Sequence, residues 1–294
     1  ALPISLKDLS VGDRIATAVR LPISNPQRLD DREVRLIAYW IGDGTMPKDD
    51  NVMVNVDFNL YEEEALAEYV ELCKSYGATP CVRKHPKKSM YHVRCHGKDT
   101  PLFQIIRKHG LWGKRAHDKV IPNAVYSLPD DQLVVFISRL MGTDGSIYMK
   151  KCSGKYNPMI EYSTVSKDLA VGVQRLFARV GMSFSLRSKI PSYTYKGEKR
   201  RGQRAYILEM SDMESFDRFA SAITLLDKQK FVEQGLEINA SRKRIEAFNH
   251  YQGDIYWAKI KEVTPRGTEE IFTVTATDTE NFVANLVLNG NSGK

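Results

Sequence analysis

Two aspartates, Asp43 and Asp144, stand in matching contexts in the two halves of the chain. Each ends an apolar, helix-like run and is followed by glycine, in the stretches LIAYWIGDG (36–44) and ISRLMGTDG (137–145). A carboxylate at a helix C-terminus faces the negative end of the helix dipole, which disfavours an acid there. If the two helices pack side by side, both carboxylates meet at one end and repel each other unless a cation lies between them. Hard oxygen ligands of this kind suit Mg²⁺.

The first of these helices is predicted over 32–43. Apolar residues recur at i, i+3, i+4 and i+7 from Val34 to Ile41, so one face of the helix is apolar. Gly42 is small enough to let another helix approach closely, and Gly44 is expected to adopt the left-handed conformation that ends a helix. The alternative is that Asp-Gly is only a common turn dipeptide, which a single copy would leave open.

The order of elements repeats along the chain, first over 31–127 and again over 128–248. Each half contains a helix that ends in the acid, a β segment, an amphipathic helix, a basic hairpin and a further helix. The helix before the second acid is predicted over 130–144. The pattern therefore predicts a duplicated α/β unit, flanked by β-rich segments at 1–30 and 249–291.

The chain carries a net charge of +7 and has a pI of about 9.1, which favours a polyanion such as nucleic acid as partner. The positive charge is concentrated in two hairpin-like segments at equivalent places in the repeat, 82–98 and 187–204. Such side chains neutralise phosphates, and the alternative is that they are ordinary solvated hairpins. The candidate phosphate-contacting residues are Arg83, Lys84, Lys87, Lys88, Arg94, Arg187, Lys189, Lys196, Lys199, Arg200, Arg201 and Arg204.

The four cysteines show no CxxC spacing and are interpreted as free thiols in a reducing compartment. No apolar run is long enough to cross a membrane, and the sequence begins without a signal-peptide pattern. These features predict a cytoplasmic, intracellular protein with no membrane partner.

The paired acidic motifs resemble the two signature helices of the LAGLIDADG homing endonucleases, in their single-chain, pseudo-dimeric form. The resemblance covers about residues 31–248. It implies a mixed α/β (α+β) fold in which each half follows the order αββαββα. It further implies that two four-stranded sheets form a saddle over double-stranded DNA, and that a monomer cuts both strands at a specific site.

The resemblance also implies roles for particular residues. In this family the last acid of each motif binds the catalytic divalent metals, which corresponds to Asp43 and Asp144, with Gly42 and Thr143 beside them in the metal set and Mg²⁺ (or Mn²⁺) as the cofactor. Closely spaced metal ions can activate water and stabilise charge on a phosphodiester.

A basic residue near each metal site is a further family feature. The segment HDKVIP points to Lys119 in the first half. The segment LLDKQK points to Lys228 in the second half, and Lys230 remains the alternative there. Any single lysine can also be a solvated surface residue.

The β-rich ends resemble a second family. The segment VGDRIATAVRLP and the C-terminal stretch from DIYWAKIKEV to NLVLNGNS are similar to inteins, especially those of DnaB-type replicative helicases. The resemblance implies that the endonuclease is inserted in an all-β Hint-type intein domain. Residues 11–20 are then expected to pair with strands in 255–288, because an inserted domain leaves its host's strands paired around it.

In inteins the last asparagine cyclises and cuts the chain, a role that corresponds to Asn291. Ser292 is then the nucleophile that begins the C-extein residues, 292–294. The alternative is that NGNS is only a turn and a tail.

The intein resemblance has departures. Gly290 and Glu280 stand where histidines are usual, and Thr273 stands where an acid is usual. No N-terminal nucleophile block and no Thr-x-x-His block precede Val11, so splicing is expected to need an N-terminal intein fragment.

Three functions follow from these patterns. The first is an intein-borne, site-specific homing endonuclease with a C-terminal splicing segment. The second is the C-terminal half of a split intein that acts mainly in trans-splicing, with a decayed endonuclease. The third is a LAGLIDADG module that binds nucleic acid without cutting it.

Overall fold

The computed structural model describes residues 4–18, 20–21, 23, 25–48, 53–97, 100–210, 212–241, 251–253, 255–265, 267–268, 281–284 and 287–290. The helices in these ranges are α1 (Asp31–Ile41), α2 (Glu63–Ser75), α3 (Pro101–Lys108), α4 (Asn123–Tyr126), α5 (Asp130–Thr143), α6 (Lys167–Arg179), α7 (Met213–Ala222) and α8 (Gln229–Ala240), with a 3-10 helix at Leu6–Asp8. The strands are β1 (Arg14–Ala18), β2 (Gly44–Thr45), β3 (Met53–Asn59), β4 (Cys81–Lys84), β5 (Met90–His96), β6 (Gly145–Cys152), β7 (Lys155–Thr164), β8 (Ser185–Lys189), β9 (Ser192–Tyr195), β10 (Glu198–Arg201), β11 (Ala205–Met210), β12 (Tyr251–Gln252), β13 (Ile255–Lys259), β14 (Asn281–Ala284) and β15 (Val287–Gly290).

The duplicated order of elements is present in the described part of the chain. One four-stranded antiparallel sheet has the order β2-β3-β5-β4, and a second has the order β6-β7-β11-β8. Strands at the same places in the two halves therefore occupy the same places in the two sheets. The mixed α/β architecture and the internal duplication are as the sequence predicts.

Helices α1 and α5 form the centre of the molecule, where they pack against each other. The sequence predicts one apolar face on α1, but the structure buries nearly its whole circumference. Leu36, Tyr39 and Trp40 are at most 1% exposed, like the predicted face. The helix is enclosed because α5 covers one side while α2 and the first half's own sheet cover the others. The indole of Trp40 donates to the buried hydroxyl of Tyr69 on α2.

The central helices meet at Gly42, the residue that follows α1, and Thr143, the last residue of α5. A methyl group added at Gly42 would overlap the hydroxyl of Thr143 and lie only 2.8 Å from its Cβ. The expected close approach at Gly42 is therefore confirmed. Because these two residues precede the two acids, the contact holds the acid-bearing ends of the helices together.

The expected left-handed conformation of Gly44 is wrong. Gly44 and the equivalent Gly145 are absent from the described residues with positive φ, and each begins a strand. Glycine is required here for space: a Cβ at Gly44 would overlap the carbonyl oxygen of Trp40, and one at Gly145 that of Met141. The chain therefore turns from helix to strand in direct contact with the last helical turn, which leaves no space for a side chain at either glycine.

The second half contains an additional hairpin, β9–β10, between β8 and β11. Its residues are exposed and pair only with each other, from Glu198↔Tyr195 to Arg201↔Ser192. Lys196 and Gly197 at its tip both have positive φ, at 50° and 84°, as a two-residue hairpin turn requires. The first half joins β4 to β5 through a shorter loop, so the two halves differ here.

The two ends of the chain share a third sheet, with the order β12-β13-β1-β15-β14 among the described residues. Strand β1 pairs along its full length with β13, from Arg14↔Lys259 to Ala18↔Ile255, and touches β15 at Thr17↔Val287. The expected pairing of the chain ends is present. Asn291, Ser292, Glu280 and Thr273 lie outside the described residues.

No helix in the described ranges is both long enough and apolar enough to span a lipid bilayer.

Candidate active site

The two acids of the repeated motif lie just beyond the adjoining ends of the central helices. Asp43 follows the C-cap residue of α1, and Asp144 is itself the C-cap residue of α5. Both side chains are partly buried. Each acid thus follows a helix end, and the contact between Gly42 and Thr143 fixes the two helix ends relative to each other.

The environment opposes ionisation of both carboxyl groups. Burial, with the nearby charges of Asp144 and then Glu62, raises the pKa of Asp43 from 3.8 to about 7, against the opposing effect of two lysines. Burial raises the pKa of Asp144 to about 6, and Lys119 and Lys228 oppose this shift. Two acids that resist ionisation at neighbouring positions form a place where a divalent cation is electrostatically favoured.

Lys119 lies at the end of α1 and is only 7% exposed. Its ammonium donates to the carbonyl oxygens of Ile41 and Gly42, both at 2.7 Å. Burial lowers the pKa of Lys119, while Asp144 and Asp43 raise it. The main chain at Lys119 is held in turn by Ser166, whose hydroxyl donates to the Lys119 carbonyl oxygen at 2.7 Å.

Lys228 occupies the corresponding place at the end of α5 and is 8% exposed. Its ammonium donates to the carbonyl oxygens of Thr143, at 2.9 Å, and Gly145, at 3.0 Å. Lys230, the other candidate, is exposed and lies over the ring of Phe231. Of the two lysines in this segment, Lys228 is therefore the one beside the acids.

Each lysine segment is held by the opposite half of the molecule. The hydroxyl of Ser166 accepts a hydrogen bond from the main-chain N–H of Leu169 at the start of α6, and it donates one to the carbonyl oxygen of Lys119. Asp227, which precedes Lys228 and has a φ of 56°, accepts from the N–H groups of Glu64 and Ala65 at the start of α2. Helix N-termini thus fix both lysines. The symmetry ties the geometry of each site to the packing of the two halves.

The donor set fits a divalent cation with few protein ligands. Among the described residues no group of three or more His, Cys, Asp and Glu side chains is arranged to hold a metal ion. The carbonyl oxygens of Gly42 and Thr143 already accept from Lys119 and Lys228. The two carboxylates are side chains that could hold such an ion, because Mg²⁺ is commonly bound by one or two carboxylates, with waters and substrate phosphates completing its shell.

Most of the basic side chains predicted to meet phosphates are exposed, and four of them contact other side chains: Arg187, Lys196, Arg200 and Arg204. Arg187 bridges Glu209, at 2.6 Å, and Glu161, at 3.4 Å. Arg94 is half-buried. Arg200 pairs with Glu198 and also lies over a tyrosine ring. Exposed are Arg83, Lys84, Lys87, Lys88, Arg187, Lys189, Lys196, Lys199, Arg200, Arg201 and Arg204.

Sequence reasoning missed three residues at the site: Glu62, Ser166 and Tyr162. Tyr162 is fully buried beside Asp144. Burial is the main cause that raises the pKa of this tyrosine well above its usual value, and the neighbouring Asp144 raises it further. Ser166 precedes a helix at a spacing typical of an N-cap, a signal that was available. Glu62 stands in a run of three glutamates, and only burial distinguishes it.

Comparisons with known proteins agree with this architecture. Residues 131–224 match the sequence model of the LAGLIDADG-like domain. The chain is 26% identical to the replicative DNA helicase DnaB of Synechocystis sp., over 98% of this chain and 40% of the helicase. It is 25% identical to the DnaB helicase of Rhodothermus marinus, over 97% of this chain and 37% of the helicase. The chain thus spans about two fifths of the length of these relatives.

Solved structures of low sequence identity were also found. A structure of mesophilic variants of the homing endonuclease I-DmoI has a TM-score of 0.46 at 14% identity, covering 69% of this chain and 97% of that one. Full-length DUF199/WhiA from Thermatoga maritima has a TM-score of 0.45 at 12% identity, covering 78% of this chain and 65% of that one. The family match includes the second of the two acidic motifs and confirms the resemblance there: residues 131–224 are similar to the LAGLIDADG-like domain.

Proposed function

We propose that this chain is a site-specific DNA endonuclease that cuts both strands of a duplex with the help of a divalent metal ion, Mg²⁺ or Mn²⁺. The observation that carries the proposal is the pair of equivalent acids, Asp43 and Asp144, at the adjoining ends of α1 and α5. Each acid has a buried lysine at the end of its own helix. Duplicated groups around one point suit a substrate with two antiparallel strands.

The residues of the chain supply position and charge. A bound divalent ion would supply the Lewis acidity that activates water and stabilises the phosphate. Asp43 and Asp144, once ionised, would attract and bind that cation through their negative charges. Lys119 and Lys228 each use two N–H groups on helix-end carbonyls, which leaves a third N–H to donate toward a phosphate oxygen or a water at the site.

The binding surface is the outward face of the sheets together with the basic hairpins. In the first sheet Val54, Val56 and Phe58 of β3 point into the core, so Asn55 and Asp57 lie on the opposite face, where Asn55 is largely buried and Asp57 is half-buried. His92 lies in register beside Asp57, and Arg83 lies in register beside His92 on the next strand. We propose that this face reads base edges in the major groove, while the exposed lysines and arginines neutralise phosphates.

The test is cleavage of a plasmid that carries a DnaB-type helicase gene from which the intein sequence is absent. Wild-type protein should linearise it with Mg²⁺ or Mn²⁺ and leave it intact with EDTA. The variants D43N and D144N should lose cutting and still bind the duplex, because phosphate contacts lie elsewhere. Specific binding without cutting by the wild type would instead favour the non-cleaving module. Equal cutting by the wild type and both variants would refute the assignment of the acids.

A second function, protein splicing, is favoured by the shared sheet of the chain ends. We propose that residues 1–30 and 249–291 belong to one Hint-type intein domain, and that residues 31–248 are the inserted endonuclease. The pairing of β1 with β13 and β15 supports this, as does the similarity to DnaB helicases over nearly the whole chain. In this proposal Asn291 cyclises, Ser292 begins the C-extein, and an N-terminal intein fragment supplies the remaining groups.

Co-expression with a matching N-terminal intein fragment tests the splicing proposal. Mass spectrometry should find the residues from Ser292 onward released or joined to a new N-terminal partner, and N291A should stop this. If only intact chains are found with the wild type, the splicing proposal fails. The endonuclease proposal would stand, because its residues all lie within 31–248.

A further inference from the structure

A third carboxylate, that of Glu62, is buried close to the paired acids and has no counterpart in the other half. Glu62 is 2% exposed. Its carboxylate accepts from the main-chain N–H of Asn59 at 2.7 Å and from the Asn59 side-chain amide at 3.1 Å. The end of β3 thus fixes this acid in one position, although it does not cap the helix that follows it.

The fixed carboxylate faces Lys228. One oxygen of Glu62 lies 3.8 Å from the ammonium nitrogen, and both side chains are almost wholly buried. This nitrogen already donates to the carbonyl oxygens of Thr143 and Gly145. An ammonium has three N–H groups, so the group left over is the one that an adjacent negative charge attracts.

The equivalent position in the second half has different chemistry. There the residue before the helix is Ser166, a neutral hydroxyl that binds the main-chain carbonyl oxygen of Lys119. Lys119 donates to Ile41 and Gly42 at 2.7 Å, and no carboxylate lies within ion-pair distance of it among the described residues. The two lysines therefore occupy equivalent places but face unlike neighbours.

We propose that Glu62 is a positioning residue that draws the free N–H of Lys228 away from the scissile phosphate, so that the Lys228 half-site cuts its strand more slowly than the Lys119 half-site. The inference rests on the endonuclease function proposed above. A fixed negative charge beside the site also repels the charge that develops on a phosphate in the transition state. The pull on Lys228 acts on one strand only, so the reaction passes through a nicked duplex before the double-strand break.

Strand-resolved kinetics test the proposal at saturating Mg²⁺, with each strand of the duplex carrying a different label. The variants K119M and K228M assign each strand to its half-site, because each should slow a different strand. The wild type should cut the strand assigned to Lys228 second. E62Q should accelerate that strand by about tenfold, the effect of removing one partly screened charge near the phosphate, and change the rate of the other strand less.

Two further variants separate charge from folding. E62S gives the first half the residue type that the second half has at Ser166, and it should also bring the two strand rates together. E63Q removes the neighbouring, exposed glutamate of α2 and should leave the ratio of rates unaltered. Because a folding defect lowers both rates alike, the ratio within one molecule reports on the half-sites. An unchanged ratio in E62Q and E62S, or a further slowing of the Lys228 strand, overturns the proposal.

A metal-free measurement keeps this inference distinct from the endonuclease function. Reductive methylation, followed by mass spectrometry in EDTA, compares how fast the two buried lysines react. In E62Q, Lys228 should react faster than in the wild type, since no carboxylate holds its proton, whereas Lys119 should not change. Equal reactivity of Lys228 in both proteins refutes the pairing. A wild type that cuts neither strand refutes the endonuclease proposal and the strand order with it, and methylation still decides the pairing.

Discussion

Replacing Asp43 with asparagine is expected to stabilise the metal-free protein. The pKa of Asp43 is raised from 3.8 to about 7, chiefly by burial and then by Asp144. A shift of about 3 units corresponds to about 4 kcal/mol of opposition to ionisation. The side chain keeps some contact with solvent, so the effective cost is smaller, about 2 kcal/mol. An amide of the same shape removes this cost, as the repulsion from Asp144 disappears with the charge.

The pH dependence follows from the direction of the shift. The folded state holds the Asp43 proton more tightly than the unfolded state, so the free energy of unfolding falls as the pH rises between 3.8 and about 7. Below this window the carboxyl is neutral in both states and contributes nothing. Above this window the carboxyl is ionised in both states, and the full cost of ionising Asp43 in the folded protein lowers the free energy of unfolding. The advantage of D43N should therefore grow by about 1–2 kcal/mol between about pH 5.5 and pH 8.

Urea unfolding in EDTA, followed by tryptophan fluorescence, measures this difference, because Trp40 is completely buried in α1. D8N is the matched control, since Asp8 is exposed and its replacement should leave the stability close to that of the wild type. Adding Mg²⁺ should reverse the order: at 100 times the dissociation constant it stabilises the wild type by about 2.7 kcal/mol, and D43N by much less. If D43N is less stable than the wild type at pH 8 in EDTA, the described electrostatics of the acid pair are wrong.

Two further predictions concern packing and DNA binding. G42A should destabilise the protein by about 1–3 kcal/mol because the new methyl group meets Thr143, whereas G142A, with nothing within 4 Å, should be neutral or slightly stabilising in thermal unfolding. Equal effects of the two would contradict the helix contact. Neutralising four exposed charges of the hairpins should lower the slope of log K against log salt by up to about 3–4 units in a binding titration, and an unchanged slope would place the DNA elsewhere. The four residues are Lys87, Lys88, Arg200 and Arg201.

The acids could be predicted from the sequence because their signal is local and repeated. Asp43 and Asp144 each follow an apolar helix and precede a glycine, and duplication makes a chance turn a poor explanation. The order of elements along each half follows from the same repeat. The pairing of β1 with β13 was predictable in the same way, because two β-rich ends around an insertion must share strands.

Other parts of the site depend on contacts between the halves, which no local pattern encodes. Choosing Lys228 over Lys230 requires the positive φ of Asp227 and its hydrogen bonds to the start of α2. Glu62 is one of three successive glutamates, and only the packing of Lys228 against it shows which one is buried. The partners of Arg187 come from two other strands of its sheet, so sequence alone overstated how free this side chain is to meet phosphate.

Helix α8 was missed for a different reason, and the hairpin β9–β10 was not separated from the rest of the predicted hairpin-like segment 187–204. Every residue of the two hairpin strands is exposed, so Tyr193 and Tyr195, which alternate with Ser192 and Thr194, mark no buried face. Helix α8 buries Val232, Gly235 and Asn239 while leaving Phe231 and Leu236 more than a third exposed, so its apolar residues do not mark its buried face. Periodicity identifies elements that bury a stripe of apolar residues, and these two do not.

Diffraction from crystals of the DNA complex grown with Mn²⁺, recorded at the manganese absorption edge, tests the central claim most directly. An anomalous peak is expected in contact with the carboxylates of both Asp43 and Asp144 and with a phosphate of the duplex, and this peak should be lost in D43N. Manganese bound only away from the two acids, or a peak that remains unchanged in D43N, would contradict the central claim.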